Sequence, residues 1–225
     1  MLKSIILFFI VVYSYGINLA VSTNVSYAMN YLVNEFEKNH PNIKVNIILG
    51  SSGNLTAQIR KNAPYDIFLS ANMKYPNALY EEGFAVQKPI VYAKGKLAIV
   101  SKRDRMRRVA IANPKTAPYG KAAMEVIKKL RKRPQIIYAQ TVSQVLNYVM
   151  ASAVDAGYVS LSASYSPKIK KYNLHWKVVD KNLYSPINQG IVILKYGANK
   201  NDVKTLYNFI LKRKDIFVKF GYDVL

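Results

Sequence analysis

The 225-residue chain contains no cysteine, two histidines and one tryptophan. Without cysteine there can be no disulfide, no thiol nucleophile and no thiolate-ligated metal, and no cysteine near the N-terminus can carry a lipid. The two histidines, His40 and His175, are far apart in sequence and have no clustered acids beside them, so they do not read as a metal-ligand pair. No serine is accompanied by a recognisable base and orienting acid, which argues against triad hydrolysis. Acidic residues are also scarce: 12 Asp and Glu face 33 Lys and Arg, for a formal charge of +21. That imbalance admits anionic solutes, anionic membranes or nucleic acid as partners, and equally a solvated lysine-rich surface.

What the chain has in quantity is apolar residues, 51% of the total, and tyrosine, 18 copies. This is enough to build one large domain or two smaller ones. The N-terminus has Lys3 ahead of an apolar run from Ile5 to Tyr13, then Ser14-Tyr15-Gly16. The pattern is that of a secretory signal peptide over residues 1–16, too short to span a bilayer. No later stretch is long enough to do so.

From Ile17 onward, strand-like and helix-like stretches alternate. Ile17–Ser22 is an apolar strand, and Val25, Met29, Leu32, Val33 and Phe36 follow at helical spacing. Strands are expected at Lys44–Leu49, Ile67–Ala71, Gly95–Ser101, Val109–Ala112, Ile136–Ala139, Gly157–Leu161 and Ile187–Leu194. Helices are expected around Leu55 and Ile59 (ending near Asn62), from Pro76 to Gly83, around Ala123–Leu130, over Val142–Met150 and in the C-terminal tail. This alternation predicts α/β units. The chain is expected to leave a first lobe (17–100 and 185–225) near Ser101, build a second (101–184) and return near Tyr184.

Four strand-to-helix junctions share one chemical character: STNVS (Ser22–Ser26), GSSGN (Gly50–Asn54), NPKTAPYG (Asn113–Gly120) and AQTVS (Ala139–Ser143). Each sets small or hydroxyl residues at a helix start, where the first backbone N–H groups lack intrahelical partners and the helix dipole adds partial positive charge. Gly50 and Gly53 let the backbone turn sharply and approach a ligand. None of the four contains Asp or Glu. A protonated anion needs an acceptor for its proton; donors alone suit a fully ionised oxyanion.

The stretches GSSGNLTAQIRKNAPYDIFLSAN (Gly50–Asn72), YAKGKLAIVS (Tyr92–Ser101) and VAIANPKTAPYG (Val109–Gly120) carry a resemblance to the periplasmic molybdate-binding proteins of ABC transporters, the ModA type. The resemblance covers nearly all of the chain after residue 16. It implies a two-lobed type II periplasmic-binding-protein fold of the α/β class, with mixed sheets and a hinged cleft between the lobes. It implies molybdate or tungstate held through its oxygens, with no direct metal ligation, by Thr23, Asn24, Ser52, Tyr119 and Val142, with Ser51 adjacent. Tyr119 and Val142 would act through backbone amides. Some members add a tyrosine hydroxyl after the last inner strand; Ser160 stands there in this chain.

The expected function is therefore capture of molybdate or tungstate in the periplasm for an inner-membrane ABC permease, by a monomer without catalysis or cofactor. Alternatives are a binder of sulfate, another oxyanion or a small organic acid, a basic nucleic-acid-binding protein reading through the runs 101–108 and 128–134, and a phosphatase-like hydrolase. Those basic runs can instead steer anions towards the cleft. Ser52→Ala and Asn24→Ala are expected to weaken anion binding with little change in the fold.

Overall fold

The computed structural model describes residues 16–102 and 106–224. The expected signal segment, Gly16 apart, lies outside the described residues, as do residues 103–105 of the first basic run. No helix among the described residues is long and apolar enough to cross a membrane.

The first half starts with β1 (Ile17–Ser22), α1 (Ser26–Asn39), β2 (Val45–Gly50), α2 (Ser52–Arg60), β3 (Ile67–Ser70), α3 (Lys74–Glu81) and β4 (Ile90–Gly95). Leu19, Ala20 and Val21 are all buried, as a parallel strand covered on both faces must be. The helical stripe read from the sequence is the buried face of α1, with Met29, Leu32 and Phe36 at zero exposure. Asn62 and Gly83, both at positive φ, follow the ends of α2 and α3.

The second half contains β5 (Leu97–Ser101), β6 (Arg108–Ala112), α4 (Pro118–Lys129), β7 (Gln135–Ala139), α5 (Val142–Met150), β8 (Ala156–Ser160) and β9 (His175–Val178). The chain then returns as β10 (Ile187–Ile193), α6 (Asn201–Lys212) and α7 (Lys214–Lys219). Pro118, the first residue of α4, suits a position whose N–H has no helical partner.

Two five-stranded mixed sheets result, in the orders β2-β1-β3-β10-β4 and β7-β6-β8-β5-β9. In the first, β1 runs parallel to β2 and β3, while β10 is antiparallel to β3 and β4. In the second, β6 runs parallel to β7 and β8, while β5 is antiparallel to β8 and β9. Helices α1, α6 and α7 cover one face of the first sheet, and α2 and α3 the other.

The expected strand Gly95–Ser101 is β5 with the last residue of β4, and the rest of β4 was not expected. β4 ends at Gly95 and β5 begins at Leu97, so the chain changes sheets at Lys96 rather than near Ser101. No proline or turn dipeptide marks the exchange because the backbone stays extended across it. β9 was not expected at all: it is an edge strand, and three of its four residues are exposed, so it lacks an apolar face to read.

Register places the four junctions. Ser22 pairs with Gly50, so the turns after β1 and β2 emerge side by side. Ala112 pairs with Ala139, so the turns after β6 and β7 do the same in the other half. Each pair lies beyond the carboxyl ends of adjacent parallel strands, one strand spacing apart, about 4.8 Å.

Candidate functional site: a ring of four helix-start turns

The four turns close into a ring. Ser22 Oγ and Ser52 Oγ are hydrogen-bonded at 2.7 Å, tying the first turn to the second. Gly53 N donates to Thr116 O at 2.9 Å, tying the second turn to the third across the two halves. Asn113 N donates to Ala139 O at 2.7 Å, tying the third to the fourth. The 3₁₀ turn Thr23–Val25 packs against α5, which completes the circuit.

All six residues named from the sequence belong to this ring and are buried: Ser52 is 0% exposed, Asn24 1%, Tyr119 2%, Ser51 3%, Val142 5% and Thr23 8%. The two halves are thus closed over the ring, and a second bridge, Tyr75 OH to Lys115 O at 3.1 Å, lies beside the Gly53 bond.

The ring offers donors. Ser51 Oγ accepts from Asn54 N at 3.4 Å and Thr141 Oγ1 from Gln144 N at 3.2 Å, each capping one helix. The first-turn amides of Ser52 (α2), Tyr119 (α4) and Val142 (α5) have no acceptor among the described residues. Ser52 Oγ accepts from Ala71 N at 2.9 Å. Either hydroxyl of the Ser22–Ser52 pair can be the donor; when Ser22 donates, both acceptor positions of Ser52 Oγ are filled and its proton is available to a ligand. No member of the four turns is acidic. The fully buried carboxylate of Asp66 lies at the opposite, amino end of β1 and β3, accepting from Asn18 N at 2.7 Å and from Lys200 Nζ at 2.8 Å.

Asn24 is held from both halves. Its Nδ2 donates to Gln189 Oε1 at 2.8 Å and to Tyr222 OH at 3.1 Å, which uses both amide hydrogens. Its carbonyl accepts from Tyr222 OH at 2.7 Å, from Ser162 Oγ, and more distantly from Ser160 Oγ at 3.5 Å. The side-chain donor expected of Asn24 is therefore committed inside the protein, and its backbone N–H is the group left for a ligand. Ser160 serves here as a support for Asn24.

Burial drives the phenol of Tyr119 well above its ordinary pKa, and the neighbouring Tyr222, Tyr92 and Tyr184 add to this. Asn24 stands close enough to act in the opposite direction. Yet neither Tyr119 OH nor Asn24 Oδ1 completes an aligned hydrogen bond.

The supporting residues Ser22, Gln189 and Tyr222 were not picked out from the sequence. Gln189 carried a usable signal: with Asn188 it is one of two adjacent amides in the otherwise apolar strand INQGIVI, and it is fully buried. Tyr222 is one tyrosine among 18 and carried none.

The bacterial extracellular solute-binding protein family matches residues 17–223. The molybdate-binding protein ModA of Rhodobacter capsulatus is 34% identical, over 79% of this chain and 77% of its own. ModA of Azotobacter vinelandii is 30% identical, over 92% of this chain and 90% of its own. The solved structure of the Azotobacter vinelandii periplasmic molybdate-binding protein superposes with a TM-score of 0.83, at 30% identity, covering 93% of this chain and 99% of that one. The match over residues 17–223 places the chain in the bacterial extracellular solute-binding protein family.

Proposed function

We propose that this protein captures molybdate or tungstate outside the cytoplasm and presents it to the permease of an ABC importer. The observation that carries the reading is the ring itself: four turns, two from each half, offering free amides and hydroxyls with no carboxylate among them. The names of the relatives, both molybdate-binding proteins, point to the same ligand.

A tetrahedral dianion accepts at every oxygen. Amides at helix starts meet that demand without placing a full positive charge in the site. Release is then feasible, because no buried cation is left unpaired when the anion departs. Charge-assisted hydrogen bonds from both halves make closure and binding one event. Thr23, Ser51 and Ser52 line the anion from the first half, together with the backbone of Asn24; Tyr119 and Val142 do so through their amides from the second. The residues 1–16 serve as the export signal, and the exposed lysines and arginines of 128–133 draw anions towards the cleft.

A thermal-shift panel with molybdate, tungstate, sulfate and phosphate tests the assignment. Ligand at about one hundred times its Kd adds about 2.7 kcal/mol, which for a chain of this size is roughly 5–10 °C. A shift with molybdate or tungstate is expected. A shift with sulfate or phosphate alone would overturn the choice of ligand.

A further inference from the structure

Two of the proposed ligand-holding residues, one from each half, approach each other behind the ring. Tyr119 comes from α4 in the second half, and its phenol reaches into the first. It lies directly over Gly95, the last residue of β4: a Cβ built there would sit 2.0 Å from the Tyr119 oxygen and 2.8 Å from Gln189 Nε2. Only glycine leaves room for that phenol. Asn24 is anchored to the same Gln189.

The orientation of the Asn24 carboxamide is fixed by a chain of polarity. Gln189 Nε2 donates to the carbonyl of Ile187 at 3.0 Å, and a carbonyl can only accept. Gln189 must therefore turn its Oε1 to Asn24, and Asn24 must answer with Nδ2. Asn24 Oδ1 is left on the other side, buried and without a donor. Tyr119 OH is likewise buried and without a partner. Each atom is the group the other lacks, and a buried polar atom left unpaired is costly.

We infer that the Tyr119 hydroxyl donates to Asn24 Oδ1 when a ligand seated in the closed ring tightens it, so that Tyr119 and Asn24 act as paired positioning residues, locking the ligand-bound form through their side chains while their backbone amides face the anion. The inference rests on the oxyanion-binding reading for its ligand but not for its geometry. Breaking the pair acts on the ligand-bound form, so it speeds ligand release and leaves association unchanged. It also explains a tyrosine at a position whose proposed ligand contact is backbone only.

The test is a double-mutant cycle of Tyr119→Phe and Asn24→Ala, read by stopped-flow release of molybdate or tungstate. Tyr119→Phe in the parent is expected to raise the release rate about ten-fold with association unaltered, and in the Asn24→Ala background to change nothing further. Equal effects in both backgrounds, or none in the parent, overturn the pairing. So does coupling of Tyr119→Phe to Tyr222→Phe instead of to Asn24→Ala. A parent that binds neither anion refutes the proposed function, not the pairing. The cycle is then read with whichever of sulfate or phosphate the thermal-shift panel identifies as the ligand: coupled release rates sustain the pair and additive ones overturn it.

Discussion

Gly53→Ala separates closure from folding. A Cβ at Gly53 would lie 2.8 Å from Tyr75 OH, 2.9 Å from Thr116 Cα and 3.0 Å from Thr116 O. The tyrosine oxygen can swing aside, but the two Thr116 atoms are backbone of the opposite half and move only if the halves part. Parting them breaks the bond from Gly53 N to Thr116 O and disturbs the neighbouring one from Tyr75 OH to Lys115 O. The bond contributes about 1 kcal/mol and the steric conflict about another 1 kcal/mol. Together that is about 2 kcal/mol against the closed form, or roughly 30-fold weaker binding. In the open form these contacts do not exist, and alanine is the better helix former in α2 by up to about 1 kcal/mol. Isothermal calorimetry should therefore show weaker binding while calorimetric unfolding of the ligand-free protein shows an unchanged or raised midpoint. Parental affinity in Gly53→Ala would refute the clasp; a midpoint lowered together with affinity would show that Gly53 serves the fold instead.

Ser52→Ala leaves the buried amide of Ala71 and the hydroxyl of Ser22 without their partner. It should cost the fold about 1–3 kcal/mol in chemical unfolding as well as weakening anion binding; the sequence alone suggested an effect on binding only. Lys200→Met strands the fully buried Asp66 carboxylate with the amide of Asn18. It should destabilise by about 3 kcal/mol yet leave ligand affinity unchanged, since the pair lies at the amino ends of β1 and β3, opposite the ring. Burial raises the pKa of Tyr92, Tyr119 and Tyr222 above their ordinary value near 10. Above pH 10 the unfolded chain loses those protons first, so the contribution is fully present below pH 10 and is lost as pH rises past it. Unfolding midpoints should fall steeply there, and Tyr92→Phe should flatten the fall.

The parts of the structure that were legible in the sequence are those fixed by local patterns. The stripe from Val25 to Phe36 and the continuous apolar run of β1 each encode burial within a few residues. The four turns were legible because small and hydroxyl residues stand where an apolar strand gives way to a helix. What they share, the closed ring, depends on strand register and on contacts between distant segments, and no local pattern encodes it. The two Nδ2 bonds of Asn24 span 165 and 198 residues in sequence, so its side chain reads as a free donor until Gln189 and Tyr222 are brought beside it. Gly95 reads only as the first residue of a strand, and nothing near it in sequence shows that it is also the slot for a phenol from the other half. The exchange of sheets at Lys96 leaves no mark because extended backbone runs on through it.

The central claim is that uncharged donors from four turns, two in each half, hold the anion. A crystal grown with tungstate gives a strong anomalous signal from the heavy atom. The account predicts one dominant peak enclosed by the amides of Ser52, Tyr119 and Val142 and by the Thr23–Asn24 turn. A dominant peak against lysine or arginine side chains, with the ring empty, would contradict it.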